Sequence, residues 1–228
     1  MFGYPMLPYG AMLKELIFAP DTVLDLGCGP GVCSLLIAPW CKRVLALDND
    51  AQGLNWLHDS MLKHNIDNIE IINDSWPLQQ PLQVDVIIAL HVYGALSSLE
   101  SVKLLYTMAK KGGFIACNAP QDSCMEPFIA LKKALGIKPR SEQCSNGCWI
   151  KGVLEAFGAD VTCQKVTYDF GQPLDTMEEA VRFMRWQVGA TDTDDDIIRK
   201  YAELYVSEQN GKIIVPITKQ GCAIIYEK

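Results

Sequence analysis

The sequence of 228 residues lacks the features that mark three broad classes of protein. It has no uninterrupted apolar run approaching the roughly 18–20 residues that a helix needs to cross a bilayer, so we expect no membrane span. It has no basic segment followed by an apolar one near residue 1, so we expect no secretory leader. It also has no basic stripe, and its 20 lysines and arginines are outnumbered by 27 acidic residues. Because phosphate contacts supply most non-specific affinity for nucleic acid, we expect no DNA or RNA partner.

Paired cysteine motifs are absent as well. The chain has nine cysteines, yet no two of them form a C-x-x-C pair. An odd number of cysteines spread through a long chain favours free thiols in a reducing compartment, so we expect a cytoplasmic protein. Cys144 and Cys148 stand four residues apart, and a helix would place both on one face. No other cysteine or histidine lies nearby to complete a tetrahedral site, so we expect no metal.

What the sequence does contain is an alternation of apolar strand patterns with helical patterns. Near-continuous apolar runs indicate strands that are covered on both faces. Alternation of strand and helix then predicts an α/β fold with a parallel sheet and crossover helices. The predicted strands of this series cover residues 22–26, 43–48, 68–73, 84–90 and 114–118, and the chief predicted helices cover 51–64 and 99–110.

The pattern changes in the last third of the chain. Residues 212–217 and 222–226 flank a Lys-Gln-Gly turn, which predicts a hairpin and an antiparallel end to the sheet. Before it, ten acidic and four basic residues lie between Asp169 and Glu208. This acidic segment holds two helices with capping signals, beginning at Thr176 and Thr193. We therefore expect one domain over residues 1–228, with a helical cap insertion at 169–211.

The most informative segment is VLDLGCGPG at residues 23–31. Gly27, Gly29 and Gly31 follow an apolar strand, and alternate glycines allow a tight turn with close approach of backbone N–H groups to a ligand. Gly31 comes one residue too early for the dinucleotide fingerprint G-x-G-x-x-G. The carboxylate of Asp25 would also repel a pyrophosphate. The segment therefore disfavours a nicotinamide-dependent oxidoreductase.

The pattern D-x-G-x-G-x-G resembles the first motif of the class I S-adenosylmethionine-dependent methyltransferases, and the resemblance continues in order through about Asn118. It implies a Rossmann-like, seven-stranded, mostly parallel sheet, S-adenosylmethionine as cofactor and S-adenosylhomocysteine as product. Asp48 ends the second strand about twenty residues after the glycines, where a carboxylate accepts the ribose hydroxyls. The resemblance implies cofactor contacts at Asp25, Gly27, Cys28, Gly29, Gly31, Asp48, Asn49, Asp74, Ser75, Trp76 and His91. Two positions keep structural alternatives: Asp74 as a turn residue and Trp76 as a packing aromatic.

His91 and Tyr93 follow the fourth strand, where the family places the reacting methyl group. Methyl transfer from a sulfonium is an in-line displacement that depends chiefly on alignment and exclusion of water. A base is needed only when the nucleophile must lose a proton. We expect His91 or Tyr93 to act as that base if the acceptor is a hydroxyl, a thiol or an acidic carbon. The alternative is that His91 only hydrogen-bonds the backbone.

Absent motifs narrow the acceptor. The fourth strand is not followed by N-P-P-Y or D-P-P-Y, no Pro-Cys pair occurs, and no acidic pair near that strand would hold Mg²⁺. We therefore expect a small-molecule acceptor, neutral or cationic because the cap is acidic. The alternative is a domain that binds S-adenosylmethionine without methyl transfer, and the oligomeric state stays open. Candidates to line the acceptor pocket are Tyr4, Tyr9, Phe183, Trp186 and Tyr201.

Overall fold

The computed structural model describes residues 6–92, 94–118, 128–137, 146–191 and 194–228. Tyr93, a predicted catalytic residue, lies outside these residues, as do Tyr4, Cys124, Cys144 and Thr193. The helices are α1 (Met6–Leu16), α2 (Val32–Ile37), α3 (Ala51–His64), α4 (Leu99–Met108), α5 (Phe128–Ala134), α6 (Asn146–Ala156), α7 (Met177–Val188) and α8 (Asp195–Tyr205), with a 3-10 turn at Ala38–Trp40. The strands are β1 (Thr22–Leu26), β2 (Arg43–Asp48), β3 (Ile69–Asn73), β4 (Val84–Leu90), β5 (Ala109–Asn118), β6 (Asp160–Asp169), β7 (Gln172–Leu174), β8 (Ser207–Gln209), β9 (Lys212–Val215) and β10 (Thr218–Glu227).

Seven strands form a mostly parallel sheet in the order β3-β2-β1-β4-β5-β10-β6. β1 is parallel to β2 and β4, whereas β10 is antiparallel to β5. The central strands are buried because their apolar runs are covered on both faces; Val23, Leu24 and Ile87 have no exposed surface. The predicted Rossmann-like fold with an antiparallel strand is confirmed. No helix in the described residues is long and apolar enough to cross a bilayer.

The predicted C-terminal hairpin is wrong in its pairing. β9 does not pair with β10; instead it pairs antiparallel with β7 and β8 in a separate three-stranded sheet. β10 begins at Thr218, includes the residues predicted as the turn, and pairs with β5 from Gly221 to Glu227. The local pattern predicted two strands correctly, but it missed that β9 forms its hairpin with the preceding β8, across Asn210 and Gly211, and that β10 pairs with the distant β5.

The chain divides into two compact units. The large unit comprises residues 5–120, 144–166 and 221–228, and it holds most of the seven-stranded sheet. The small unit comprises residues 1–4, 121–143 and 167–220, so it contains the segment 169–211 that the sequence predicts as an insertion. The small unit also includes α5, from a region between β5 and α6. The single-domain assignment and the cap role remain predictions.

The small unit has its own apolar core, formed by α5, α7, α8 and β9. Its fully buried members include Leu131, Met184 and Ile198. The predicted start of α7 is confirmed: the Oγ1 of Thr176 accepts from the backbone N–H of Glu179 at 3.2 Å. The Glu179 carboxylate in turn accepts from the N–H of Asp175 at 2.8 Å, so two helix-end donors are satisfied.

The expectation that all cysteines are free thiols is wrong for one pair. Cys163 of β6 and Cys222 of β10 form a disulfide, with their Cα atoms 6.5 Å apart. These strands are neighbours in the sheet, which brings two cysteines 59 residues apart in sequence within bridging distance. The remaining described cysteines are free: Cys28, Cys33, Cys41 and Cys117 are buried, and Cys148 is exposed.

Candidate active site

The loop after β1 depends on glycine. Gly27, Gly29 and Gly31 have φ angles of 69°, 52° and 77°, in the left-handed region that favours glycine. The backbone N–H groups of Gly27 and Cys28 donate to the Leu47 carbonyl at 2.8 and 3.1 Å. A Cβ at Gly27 would overlap Cγ1 of Val92, whereas one at Gly29 would meet no atom within 4 Å. The loop is thus pinned to β2 and leaves open space beside Gly29.

Asp48, at the end of β2, holds this loop. Its Oδ2 accepts from the N–H of Gly29 at 2.7 Å, and its Oδ1 accepts from the N–H of Asp50 at 2.9 Å. Hydrogen bonds to a carboxylate are stronger than those between neutral groups. Each carboxylate oxygen retains acceptor capacity beyond the one bond described. Asp48 therefore organises the loop and remains chemically able to receive hydroxyl donors.

A cavity of about 510 Å³ opens at the carboxyl ends of β1, β2 and β4. In doubly wound sheets, ligands bind at this edge. Six predicted cofactor contacts line it: Gly27, Asp48, Asn49, Asp74, Trp76 and His91. Five further residues line it that the sequence did not single out: Leu26, Leu47, Val92, Gly94 and Ala95. Gly94 and Ala95 lie in the segment after the fourth strand, four and five residues beyond Leu90, so the strand-end argument used for His91 could have been extended to them.

The segment after β3 joins the same cavity. The N–H of Asp74 donates to the Asp48 carbonyl at 3.1 Å, and the Asp74 carboxylate accepts from the N–H of Ser75 at 2.7 Å. Ser75 is exposed and off the cavity wall, where its hydroxyl accepts from the Asn49 amide at 3.3 Å. The indole N–H of Trp76 is buried without a hydrogen-bond partner in the described residues. An orphaned donor on the wall fits a polar ligand atom.

Asp25 and Cys28 do not line the cavity, and neither do Gly29 and Gly31. Asp25 is buried beneath the loop and accepts from the Ser34 hydroxyl at 2.6 Å. Burial raises the pKa of Asp25 from its ordinary value of 3.8 to about 6, although the hydrogen bonds from Ser34 oppose the shift. Burial also raises the pKa of the Cys28 thiol well above its ordinary value. Asp25 therefore holds the first turn of α2, the helix that follows the loop, and direct cofactor contact by Asp25 and Cys28 stays a prediction.

His91 is held at the end of β4 in an uncommon conformation. Its φ angle is 56°, which few non-glycine residues adopt, and its N–H donates to the Ala116 carbonyl at 2.8 Å. Its Nε2 lies 3.2 Å from the hydroxyl of Tyr9, a fully buried residue of α1. The His91 side chain also borders a second, apolar cavity of about 30 Å³ that includes Cys117 and Ile150.

The aromatic residues that were predicted to line the acceptor pocket lie in different units. Tyr9 contacts His91 in the large unit. In the small unit, Phe183 and Trp186 line an open groove of about 570 Å³, and Tyr201 stacks on Tyr205. Several carboxylates of the acidic segment pair with basic residues: Glu178 with Arg199 at 3.3 Å, Asp195 with Arg185 at 3.5 Å, and Asp175 with Lys212.

The residues of the large-unit cavity fit S-adenosylmethionine. The Asp48 carboxylate suits ribose hydroxyls, and the orphaned indole N–H of Trp76 suits a polar acceptor atom. A volume of about 510 Å³ falls within the usual range for small-molecule sites. In the described part of the chain, no three His, Cys, Asp or Glu side chains come together in a way that could hold a metal ion.

Comparison with known proteins agrees with this arrangement. Residues 8–194 match a family described as "methyltransferase domain". A ribosomal protein L11 methyltransferase from Vibrio campbellii is 29% identical over 145 residues, which cover 61% of this chain and 47% of that protein. A trans-aconitate 2-methyltransferase from Rhodopseudomonas palustris is 27% identical over 158 residues, covering 68% of this chain and 57% of that protein. The chain thus spans about half the length of these relatives.

A solved structure shows the same fold. The YcgJ protein of Bacillus subtilis superposes with a TM-score of 0.61 at 16% identity, covering 96% of this chain and 97% of that one. At this identity the likeness concerns the fold alone. Because the family match extends over most of the chain, the chain belongs to the methyltransferase domain family, a class of S-adenosylmethionine-dependent enzymes.

Proposed function

We propose that this chain binds S-adenosylmethionine in the 510 Å³ cavity and transfers its methyl group to a small-molecule acceptor. One observation carries the proposal: the glycine loop, Asp48 and His91 come from three separate strand ends and border one cavity. Sequence order alone does not require this convergence. It arises because β1, β2 and β4 are parallel neighbours, so their carboxyl ends meet.

The residues of the cavity have separable roles in this proposal. Asp48 receives the ribose hydroxyls, while Asp74 and Trp76 contact the adenine end. The cofactor supplies an activated methyl group on a sulfonium. His91 lies at the end of β4 and takes the proton of an acceptor that must lose one. The apolar wall of Leu26, Leu47 and Val92 excludes water from the reacting atoms.

Small-molecule acceptance is supported by the relative named trans-aconitate 2-methyltransferase and by the excess of acidic over basic residues in the sequence. The relative named for ribosomal protein L11 makes a protein acceptor the main competing outcome. The acidic segment of the small unit is weaker evidence for a neutral or cationic acceptor than its net charge suggests. Several of its carboxylates already pair with arginine or lysine.

The test has two stages. Calorimetry first compares S-adenosylhomocysteine with NAD, and we expect binding of the former alone. The full chain is then incubated with cofactor labelled in the methyl group and with metabolite, protein and RNA fractions of an extract. Label in a new low-mass product supports the proposal, and label only in protein or RNA contradicts its small-molecule part. Binding without label in any fraction contradicts methyl transfer.

A cytoplasmic location, which the sequence favours, belongs to the same proposal and needs its own test. Disulfides such as Cys163–Cys222 are uncommon in reducing compartments. Cell fractionation followed by thiol alkylation of the recovered protein would address both points. Recovery in the cytoplasmic fraction with Cys163 and Cys222 alkylated supports the location and shows the bridge to be reduced there.

A further inference from the structure

Three cysteines of the large unit lie on three neighbouring strands of the seven-stranded sheet. Cys117 lies in β5, Cys222 in β10 and Cys163 in β6, and the sheet order places β10 between the other two strands. Cys222 is bridged to Cys163, whereas Cys117 is a buried free thiol. Cys222 therefore has its disulfide partner on one side and a free thiol on the other.

The free thiol of Cys117 is close to Cys222. The two residues are register partners in the antiparallel pair of β5 and β10, and the Sγ of Cys117 donates to the Cys222 carbonyl at 3.6 Å. Residues directly opposite each other in such a pair have Cα atoms about 4.5–5.5 Å apart, with their side chains on one face. Disulfides form at Cα separations of about 4.4–6.8 Å. Cys117 and Cys163 are thus both within bridging distance of Cys222.

We propose that Cys222 exchanges its disulfide partner between Cys163 on the exposed edge strand and Cys117 beside the candidate active site. The thiolate of Cys117 attacks the Sγ of Cys222, so that the Cys117–Cys222 bond forms and the Cys222–Cys163 bond breaks. The Sγ of Cys163 leaves as a thiolate and takes a proton from water, which replaces the proton that Cys117 gave up. The exchange consumes no oxidant or reductant, and it does not depend on the proposed function because no step involves the cofactor.

The order of the strands suits this reaction. Thiol–disulfide exchange is a displacement at sulfur, with the entering and leaving sulfurs on opposite sides of the sulfur attacked. Cys117 and Cys163 lie on opposite sides of Cys222, and Cys163 is exposed, so its thiolate leaves toward water. Burial raises the pKa of Cys117 to about 11. Few molecules therefore hold the attacking thiolate at neutral pH, and we expect the exchange to take minutes to hours.

A bridge to Cys117 changes the surroundings of His91. Cys117 and His91 line the same apolar cavity of about 30 Å³. The N–H of His91 also donates to the carbonyl of Ala116, the residue before Cys117. Drawing the Cys117 side chain toward Cys222 therefore alters a wall that His91 shares. The exchange thus links a cysteine at the edge of the sheet to a predicted catalytic residue, as a thiol-sensitive switch requires.

The experiment traps the exchanged form in the folded full chain. Oxidised protein is incubated with iodoacetamide and no reductant, digested without reduction, and its bridges are mapped by mass spectrometry. When Cys222 moves to Cys117, the freed Cys163 is exposed and is alkylated irreversibly. We expect alkylated Cys163 and the Cys117–Cys222 bridge to accumulate together over hours, at a rate that does not depend on protein concentration.

Two variants identify the attacking thiol. Cys117→Ala removes it and should lower the rate of Cys163 alkylation by about tenfold or more. Cys148→Ala is the matched control, since Cys148 is an exposed free thiol close enough to contribute to the raised pKa of Cys117. Its loss should leave the rate within about twofold. Equal rates in wild type and Cys117→Ala overturn the inference, as does a tenfold loss in Cys148→Ala.

Should Cys117→Ala fail to fold, the wild-type map decides. A Cys163 that stays bridged throughout the incubation overturns the inference. Alkylated Cys163 without a Cys117–Cys222 bridge overturns it as well.

A second measurement tests the link to His91. The chain has three histidines, and the exposed His58 and His64 of α3 serve as internal references in spectra of protein with ¹⁵N-labelled histidine. In the trapped form we expect the ring signals of His91 to move and those of the references to stay. An unchanged His91 signal overturns the link to the candidate active site. Calorimetry with S-adenosylhomocysteine tests the proposed function separately, and its failure leaves the bridge map and the His91 result as they are.

Discussion

Four carboxylates, two from each unit, do different work in this molecule. In the large unit, Asp25 accepts from the hydroxyl of Ser34 in α2, and Asp48 accepts from two backbone N–H groups, one of them that of Gly29 in the glycine loop. In the small unit, Asp175 and Glu178 pair with lysine or arginine on exposed surface. Surface ion pairs contribute little to stability, whereas carboxylate bonds to backbone donors fix a loop. The density of acidic residues therefore indicates less about the site than where each carboxylate lies.

Two glycines with similar φ angles, Gly27 in the large unit and Gly189 in the small unit, allow the packing around the glycine loop to be tested. Gly27→Ala places a Cβ into Val92 at a φ of 69°, so strain and overlap act together. We expect a loss of about 3–4 kcal/mol in the free energy of unfolding, measured by urea denaturation. Gly189→Ala, at the end of α7, has a similar φ of 72° but open space around it, and should cost about 1–2 kcal/mol. Equal losses of stability in the two variants would show that the overlap with Val92 adds nothing to the cost of substituting Gly27.

Asp25 should make the stability of the large unit depend on pH. Its pKa is raised to about 6 from an ordinary 3.8, so the folded protein binds the proton more tightly than the unfolded chain. Its protonation therefore favours folding most below pH 4, and this advantage is lost as the pH rises through 6. Relative to wild type, Asp25→Asn should gain up to about 3 kcal/mol between pH 4 and pH 7. If the stability difference between Asp25→Asn and wild type stays constant from pH 4 to pH 7, the raised pKa of Asp25 is contradicted.

Asp48→Asn should affect binding more than folding. Loss of the charge weakens the bond from the Gly29 N–H and removes the carboxylate that we propose receives the ribose hydroxyls. We expect S-adenosylhomocysteine to bind about 30-fold more weakly by calorimetry, which corresponds to about 2 kcal/mol. The matched variant in the small unit, Asp175→Asn, breaks an ion pair with Lys212 and should leave the affinity within about twofold. Similar weakening by both variants would refute the division of roles.

Removing the side chain of a helix N-cap should have the smallest effect on stability, and the effect should be the same in both units. Thr176→Ala removes the acceptor at the start of α7, and Ser98→Ala removes the one that bonds the N–H of Ser101 at 3.1 Å in α4. Each change should cost about 1 kcal/mol of stability by urea denaturation. If Ser98→Ala lost markedly more stability than Thr176→Ala, the two units would differ in how much a helix cap contributes, and not only in where their carboxylates lie.

The sequence predicted what depends on local pattern. The bounds of β1, β2, α3 and β4 agree with the predictions, because apolar runs and glycine turns act over a few residues. The start of β5 does not agree: the sequence predicts a helix over 99–110 and a strand from 114, yet β5 begins at Ala109, and Gly112 pairs with Val86 and Glu227 within the sheet. A Cβ at Gly112 would overlap the Tyr226 carbonyl, so this glycine serves close strand packing rather than a turn.

The remaining features depend on contacts between distant segments. The pairing of β7 with β9, the Cys163–Cys222 bridge and the Tyr9–His91 contact each join residues far apart in sequence. Six of the cofactor positions implied by the family resemblance line the cavity, which lies at the carboxyl ends of parallel strands. The partner of His91 could not be inferred, since nothing in the pattern of α1 specifies which of its residues faces β4.

The placement of β10 between β5 and β6 has a consequence for biosynthesis. A ribosome delivers β6 before β10, so the growing chain holds an edge strand whose neighbour has yet to be translated. The sheet can close on that side only after residues 218–227 have left the exit tunnel. The core that includes Ile224 and Tyr226 therefore forms after translation of most of the chain, and nascent chains halted before residue 218 should engage chaperones that protect open sheet edges.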